Sequence, residues 1–247
     1  MLDDVEAVVF DLGGTLVEYA LPSWPAMLGQ CVDAAYGFLV RPQQQWPPPA
    51  APMPSPAEAQ MRRRRIGRDT ALLHRVTMGL RRIIRAVSSR TLPAIAEACA
   101  RPLMATGRVY EDALPTLRTL RVRGYRLGLI SNTPWGTPDY LWEKQVEKFH
   151  LAPLMDVRLF SSGVGIRKPD PRIFREALRR LGTAAARAIF VGDSPREDVA
   201  GARGVGMRTA LVVRQNGLRK AQKSISEADL YIPTLAELLT HLSARPN

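Results

Sequence analysis

The chain has 247 residues, 46% of them apolar, and a formal net charge of +12. That length allows one large domain or a core with a smaller insertion, and no run approaches the roughly 20 apolar residues that cross a bilayer, so no membrane partner is expected. Arginine supplies almost all of the charge, since lysine occurs only at 144, 148, 168, 220 and 223; such charge attracts anions, whether phosphorylated metabolites or nucleic acid, and says nothing about fold.

Residues 5–11 read as a buried strand that ends at Asp11-Leu12-Gly13-Gly14-Thr15-Leu16. The opening Met1-Leu2-Asp3-Asp4 has no basic n-region of a signal peptide. Seven prolines between 42 and 56 exclude helix interior and central strand, and predict an extended, polyproline-like loop. From residue 57 the pattern turns helical. Ile66, Leu73, Val76, Leu80, Ile83 and Val87 share one face, and arginines, including Arg62, Arg63, Arg64, Arg65 and Arg68, fill the rest. A further short helix covers 94–100.

After about residue 108 the pattern alternates. Leu114, Leu117 and Leu120 mark a helix stopped by Gly124. Strands are predicted over 125–130, 157–160, 188–191, 207–213 and 230–232. Helices are predicted over 138–149, 171–181, 199–203 and 235–242, the 171–181 helix opening on Pro171 and closing at Gly182. Such alternation predicts an α/β fold with a mostly parallel, Rossmann-like sheet covered on both faces. The expected division is a core of 1–16 and 108–247, with an all-helical insertion over 17–107. Cys31 and Cys99 are too few for a disulfide framework and lack metal-ligand spacing, so a reducing cytoplasm is the expected setting.

Four strand ends carry polar residues: Asp11 and Thr15; Ser131 and Asn132; Lys168, just before a helix; and Asp193 with Asp198. In a parallel sheet with neighbouring connections they converge on one edge, where ligands of open α/β sheets bind. A carboxylate nucleophile, hydroxyl donors, a lysine and an acidic pair suit phosphoryl transfer beside a Mg²⁺ ion, which prefers oxygen ligands.

In order and spacing these segments resemble the four motifs of the haloacid dehalogenase (HAD) superfamily. The resemblance covers 5–16 and about 108–240. It implies that Asp11 attacks phosphorus and also binds Mg²⁺, that Gly13 offers a backbone carbonyl to the metal, and that Asp193 and Asp198 complete the metal site. Ser131 and Lys168 would hold the transferring phosphoryl group, Asn132 would orient phosphate or substrate, and Thr15 would position the loop. The insertion's location implies a helical cap of the C1 type, and the implied partner is a small phosphorylated substrate.

One position departs from the pattern. The family's usual first motif is Asp-x-Asp-Gly-Thr, and its second Asp, a general acid and base, is Gly13 here. Three outcomes follow: a phosphatase that takes its proton elsewhere, with Glu18 the nearest acid; a metal-independent 2-haloacid dehalogenase, whose leaving halide needs no proton; or a catalytically impaired protein that binds a phospho-ligand or nucleic acid. Phosphonate cleavage through a cap lysine is not expected, because no lysine precedes Lys144. Trp135, just past Asn132, is expected either to border the pocket or to cover the sheet edge.

Overall fold

The computed structural model describes residues 2, 4–20, 23–40, 92–134, 137–214 and 228–244. The proline-rich stretch, the arginine run, the helical pattern of 57–87 and Trp135 lie outside them. The chain divides into two compact units, Met1–Glu18 with Arg108–Asn247, and Tyr19–Gly107.

The first unit is built on β1 (Ala7–Phe10), β4 (Arg126–Ser131), β5 (Val157–Phe160), β6 (Ala188–Gly192), β7 (Arg208–Val212) and β8 (Leu230–Ile232). They form one sheet in the order β5-β4-β1-β6-β7-β8, every neighbouring pair parallel. Strands β1, β4, β6 and β7 are almost wholly buried, as a sheet with both faces covered requires, while the edge strand β8 is half-buried. The chain builds outward from β1 through β4 to β5, then crosses back to lay β6 on the other side of β1. The switch point is therefore the β1/β6 seam, and the crevice beyond its carboxyl ends is where such sheets hold ligands.

Between the strands lie α3 (Ala113–Val122), α4 (Asp139–Lys148), the one-turn α5 (Ser161–Val164) and α6 (Pro171–Leu181), with α8 (Leu235–His241) closing the chain. The side chain of Asp170 accepts from Arg172 N at the start of α6, and Gly182, at φ 61°, ends it. After β6 the chain makes a π-helical turn, Pro195–Ala200, that runs into α7 (Gly201–Arg203). The expected helix at 199–203 thus begins earlier, because Ser194 caps Glu197 N and Pro195 suits a first turn. Phe174 of α6 is fully buried and meets Phe190 of β6 edge-on at 5.2 Å.

β2 (Val17–Tyr19) and β3 (Gly107–Val109) form a separate two-stranded sheet, where the sequence pattern predicts no strand. The described helices of the second unit are α1 (Trp24–Val40) and α2 (Leu92–Ala105). The thiols of Cys31 on α1 and Cys99 on α2 are hydrogen-bonded to each other, which pushes Cys31 above and Cys99 below the ordinary thiol range.

Phe174→Ala should lower the unfolding free energy by about 3–5 kcal/mol, the usual cost of emptying a packed aromatic site. Val122→Ala, at an 88% exposed position, should stay within about 0.5 kcal/mol of wild type. Urea unfolding of the two variants tests this; equal effects would refute the assigned packing.

Candidate active site

Asp11 leaves β1 with its N–H donating to Val191 O on β6 at 2.9 Å. Register sets Phe10 beside Leu129 and Val191, so Asp11, Ser131 and Asp193 leave the sheet at the same edge. Lys168, in the segment before α6, is 2% exposed and reaches that edge. Its Nζ donates to Asp11 Oδ1 at 2.6 Å and to Ile130 O at 2.9 Å. It also lies 2.7 Å from Asp198 Oδ1 and 5.1 Å from the centre of the Phe190 ring.

Asp198 is 1% exposed, and its Oδ2 accepts from Ser194 N at 3.0 Å. Its Oδ1 forms the ion pair with Lys168 but has no hydrogen-bond partner in hydrogen-bonding alignment. Carboxylate oxygens of Asp11, Asp193 and Asp198 lie within 4.8 Å of one another. Two glycines make this crowding possible. A Cβ on Gly14, whose φ is +88°, would sit 2.3 Å from Asp193 Oδ2, and one on Gly192 would sit 2.3 Å from Asp198 Oδ2.

Thr15 is fully buried, and its hydroxyl donates to Asp11 Oδ2 at a long 3.4 Å. Ser131 ends β4 and is buried. Asn132 clamps the Lys168 backbone: its Oδ1 accepts from Lys168 N at 2.9 Å, and its Nδ2 donates to Lys168 O at 3.1 Å and Glu197 Oε2 at 3.0 Å. All three of its polar interactions thus orient the lysine segment and the turn after β6. Glu18 is exposed. Trp142 is buried and donates to Thr137 Oγ1 at 2.8 Å.

A family model described as haloacid dehalogenase-like hydrolase matches residues 5–206. The chain belongs to this family.

Phosphoserine phosphatase of Thermus thermophilus is 42% identical over 135 residues, which are 53% of this chain and 52% of that protein. The chain spans about half the length of the curated relatives it matches. Among solved structures, an HAD phosphatase from Thermococcus onnurineus aligns with a TM-score of 0.62 at 27% identity, over 96% of this chain and 97% of its own. A 2-haloacid dehalogenase from Pseudomonas syringae aligns at 0.60, also 27% identical, over 95% and 96%. Among the described residues no helix is long and apolar enough to cross a membrane.

The electrostatics of this HAD site are unbalanced. Burial raises the Asp11 carboxyl most; Lys168 pulls it back and Asp198 adds repulsion, leaving it at about 6 instead of 3.8. Asp193 is pushed from 3.8 to about 8 by desolvation, then by repulsion from Asp11 and Asp198. Asp193 is nevertheless exposed to solvent, so repulsion is its dependable cause. Burial works against the charge of Lys168, but Asp11 and Asp198 outweigh it and hold the ammonium above the ordinary lysine range. A divalent cation fits this donor set of three converging carboxylates. Asp11, Asp193 and Asp198 are the residues that would hold it.

Several further residues support the site without belonging to the motif set. Ser161 accepts Thr133 N at 2.9 Å and meets Thr133 Oγ1 at 3.0 Å, and Arg167 donates to Thr133 O at 3.0 Å. Together they fix the loop after β4. Glu197, bonded to Asn132, lies between the two motif acids Asp193 and Asp198; its position there was the available signal.

Both raised carboxyls keep their protons in the fold after the unfolded chain has released them. Without a cation, the stability they contribute is therefore complete below about pH 4 and is lost as pH rises through about 6 and 8. The melting temperature of the cation-free protein should fall across that window. Added divalent cation should raise it more at the alkaline end, and Asp193→Asn should flatten both trends. Thermal scans at stepped pH test this; a cation-free melting point that climbs would refute carboxylate repulsion.

Proposed function

We propose that the protein is a Mg²⁺-dependent phosphatase that hydrolyses a small phosphorylated metabolite through an aspartyl phosphate on Asp11. One observation carries the reading: a fully buried lysine held between Asp11 and Asp198, with Asp193 completing a three-carboxylate cluster. An oxygen of Asp11 attacks phosphorus and the bond to the leaving oxygen breaks; water then hydrolyses the acyl phosphate and restores the carboxylate. Lys168 and Ser131 hold the transferring phosphoryl oxygens, Asn132 keeps the lysine segment in place, and Thr15 steadies the nucleophile. Mg²⁺ on Asp11, Asp193 and Asp198, with the Gly13 carbonyl as a further ligand, would neutralise phosphate charge when bound. The phosphatase relatives support this chemistry, as does the phosphatase structure.

Gly13 narrows the substrate. General acid–base help is worth about 10² to 10⁴ in rate, or roughly 3–5 kcal/mol of barrier. A leaving group that needs little protonation, such as an acyl or aryl phosphate, tolerates its loss. The inserted unit serves in this reading as the substrate-selecting cap, a role supported by its place after β1.

Asp11→Asn should lower turnover of an aryl phosphate by about 10⁴-fold or more with the melting temperature little changed. Chelation should stop the wild-type enzyme and Mg²⁺ should restore it. A panel of phosphate esters, acyl phosphates and haloacids decides the reaction. Halide release that survives chelation would favour the dehalogenase reading, which Gly13 also suits. A protein inert to the whole panel would favour a ligand-binding role.

A further inference from the structure

A second ionic cluster lies behind the nucleophile loop, outside all four motifs. Arg214 follows β7, where Val213 N donates to Ile232 O at 2.9 Å. Its Nη2 donates to Thr15 O at 2.9 Å. The same guanidinium grips Asp112 with both arms, Nη1 to Oδ2 at 3.1 Å and Nη2 to Oδ1 at 3.0 Å. Its carbon lies 3.5 Å from the centre of the Tyr110 ring, close enough for stacking. Asp112 Oδ2 also accepts Leu235 N, the first residue of α8, at 2.8 Å, and Tyr110 N donates to Leu16 O at 3.0 Å. One guanidinium thus joins the nucleophile loop, the entry to α3 and the end of β7, and Asp112 extends the set to the start of α8. The Arg214 and Asp112 side chains are only 20% and 16% exposed.

The loop needs such a tie. Between Leu12 and Thr15 it consists of two glycines, which have no side chains to anchor it and which lose the most freedom on ordering. Its internal closure is three backbone bonds, Leu16 N and Val17 N to Leu12 O, and Gly14 N to Val17 O. Thr15, whose carbonyl Arg214 holds, carries the hydroxyl that reaches Asp11. We propose that Arg214 is a positioning residue for the nucleophile: by holding the Thr15 carbonyl it fixes the glycine loop and so the aim of the Asp11 carboxylate. The kinetic arm of its test rests on the phosphatase reading; the structural arm does not.

Two variants separate positioning from stability. Arg214→Lys keeps the charge, but one ammonium cannot satisfy both Asp112 oxygens and the Thr15 carbonyl while stacking on Tyr110. Asp112→Asn removes the ion pair but leaves Arg214 free to hold Thr15. In metal-free protein, hydrogen exchange at the Leu16 and Val17 amides should speed up about tenfold or more in Arg214→Lys and remain near wild type in Asp112→Asn. With an aryl phosphate and Mg²⁺, kcat should fall about 10–100-fold in Arg214→Lys, a cost typical of a misplaced reacting group. KM should change little, and Asp112→Asn should stay within about threefold of wild type even if it melts earlier. Unchanged exchange in Arg214→Lys overturns the proposal. So does a kcat loss that tracks melting temperature equally in both variants. If the wild type turns over no phosphate, the phosphatase reading fails, and the exchange comparison alone decides the role of Arg214.

Discussion

A buried ammonium organises the carboxyl end of this sheet. Taking Lys168 out of water costs several kcal/mol, and Phe190 beneath it returns little of that. The cost is met by two carboxylates at 2.6 and 2.7 Å, each attraction amounting to about 6 kcal/mol at an effective dielectric near 20. The ammonium therefore stays charged, and its position is tied to both acids at once. Its third contact, to Ile130 O, adds β4 to the set. Asn132 then fixes the lysine's backbone from the end of β4. Segments from β1, β4, the lead-in to α6 and the turn after β6 are thereby held in one register around a single charge.

The two ionic clusters of this unit differ in a way that bears on function. Arg214 and Asp112 balance one to one, and every oxygen of Asp112 has a partner. Its formal charges cancel, although Arg214 Nε is buried without a hydrogen bond. Around Lys168 three carboxylates face one ammonium, a formal excess of two negative charges when all are ionised. A cluster that served only folding would gain by losing an acid. Burial first, and then repulsion among the acids, instead pushes the Asp11 and Asp193 carboxyls upward. Under the proposed function a dication and a phosphoryl group would share the site, and each would alter the charge the other meets.

The legible parts of the site were those whose signal is local. Asp11, Ser131 and Asp193 each follow an apolar strand, and Lys168 and Asp198 sit beside helix starts marked by proline. Their order along the chain carried the family resemblance, and the family model matches 5–206. The helix expected over 171–181 has those same bounds, because Asp170, Pro171 and Gly182 punctuate it. The illegible parts depend on contacts between distant residues. Arg214 meets Thr15 across 199 positions and Asp112 across 102, and Glu197 meets Asn132 across 65. Nothing near Arg214 in sequence points to Thr15 or Asp112, whereas Glu197 at least sits between two motif acids. β2 and β3, three residues each, are too short for alternation to register.

The adjacent glycines of the first motif answer to different demands. Gly14 is required by geometry: Asp193 occupies the space where its side chain would begin, and its backbone lies at positive φ. Gly13 stands where the family's usual first motif has an acid, and under the proposed function that has two consequences. In the proposed reaction the leaving group departs with less help, which shifts part of the selectivity from the enzyme's proton chemistry to the substrate's own. The loop also loses a side chain that could have anchored it from within. A catalyst without a general acid depends more heavily on where its nucleophile points, because positioning is among the remaining sources of rate. The external tie from Arg214 to Thr15 is therefore best placed in a chain whose first motif reads Asp-Leu-Gly-Gly-Thr. An anchor of that kind matters more as the loop it holds has less structure of its own.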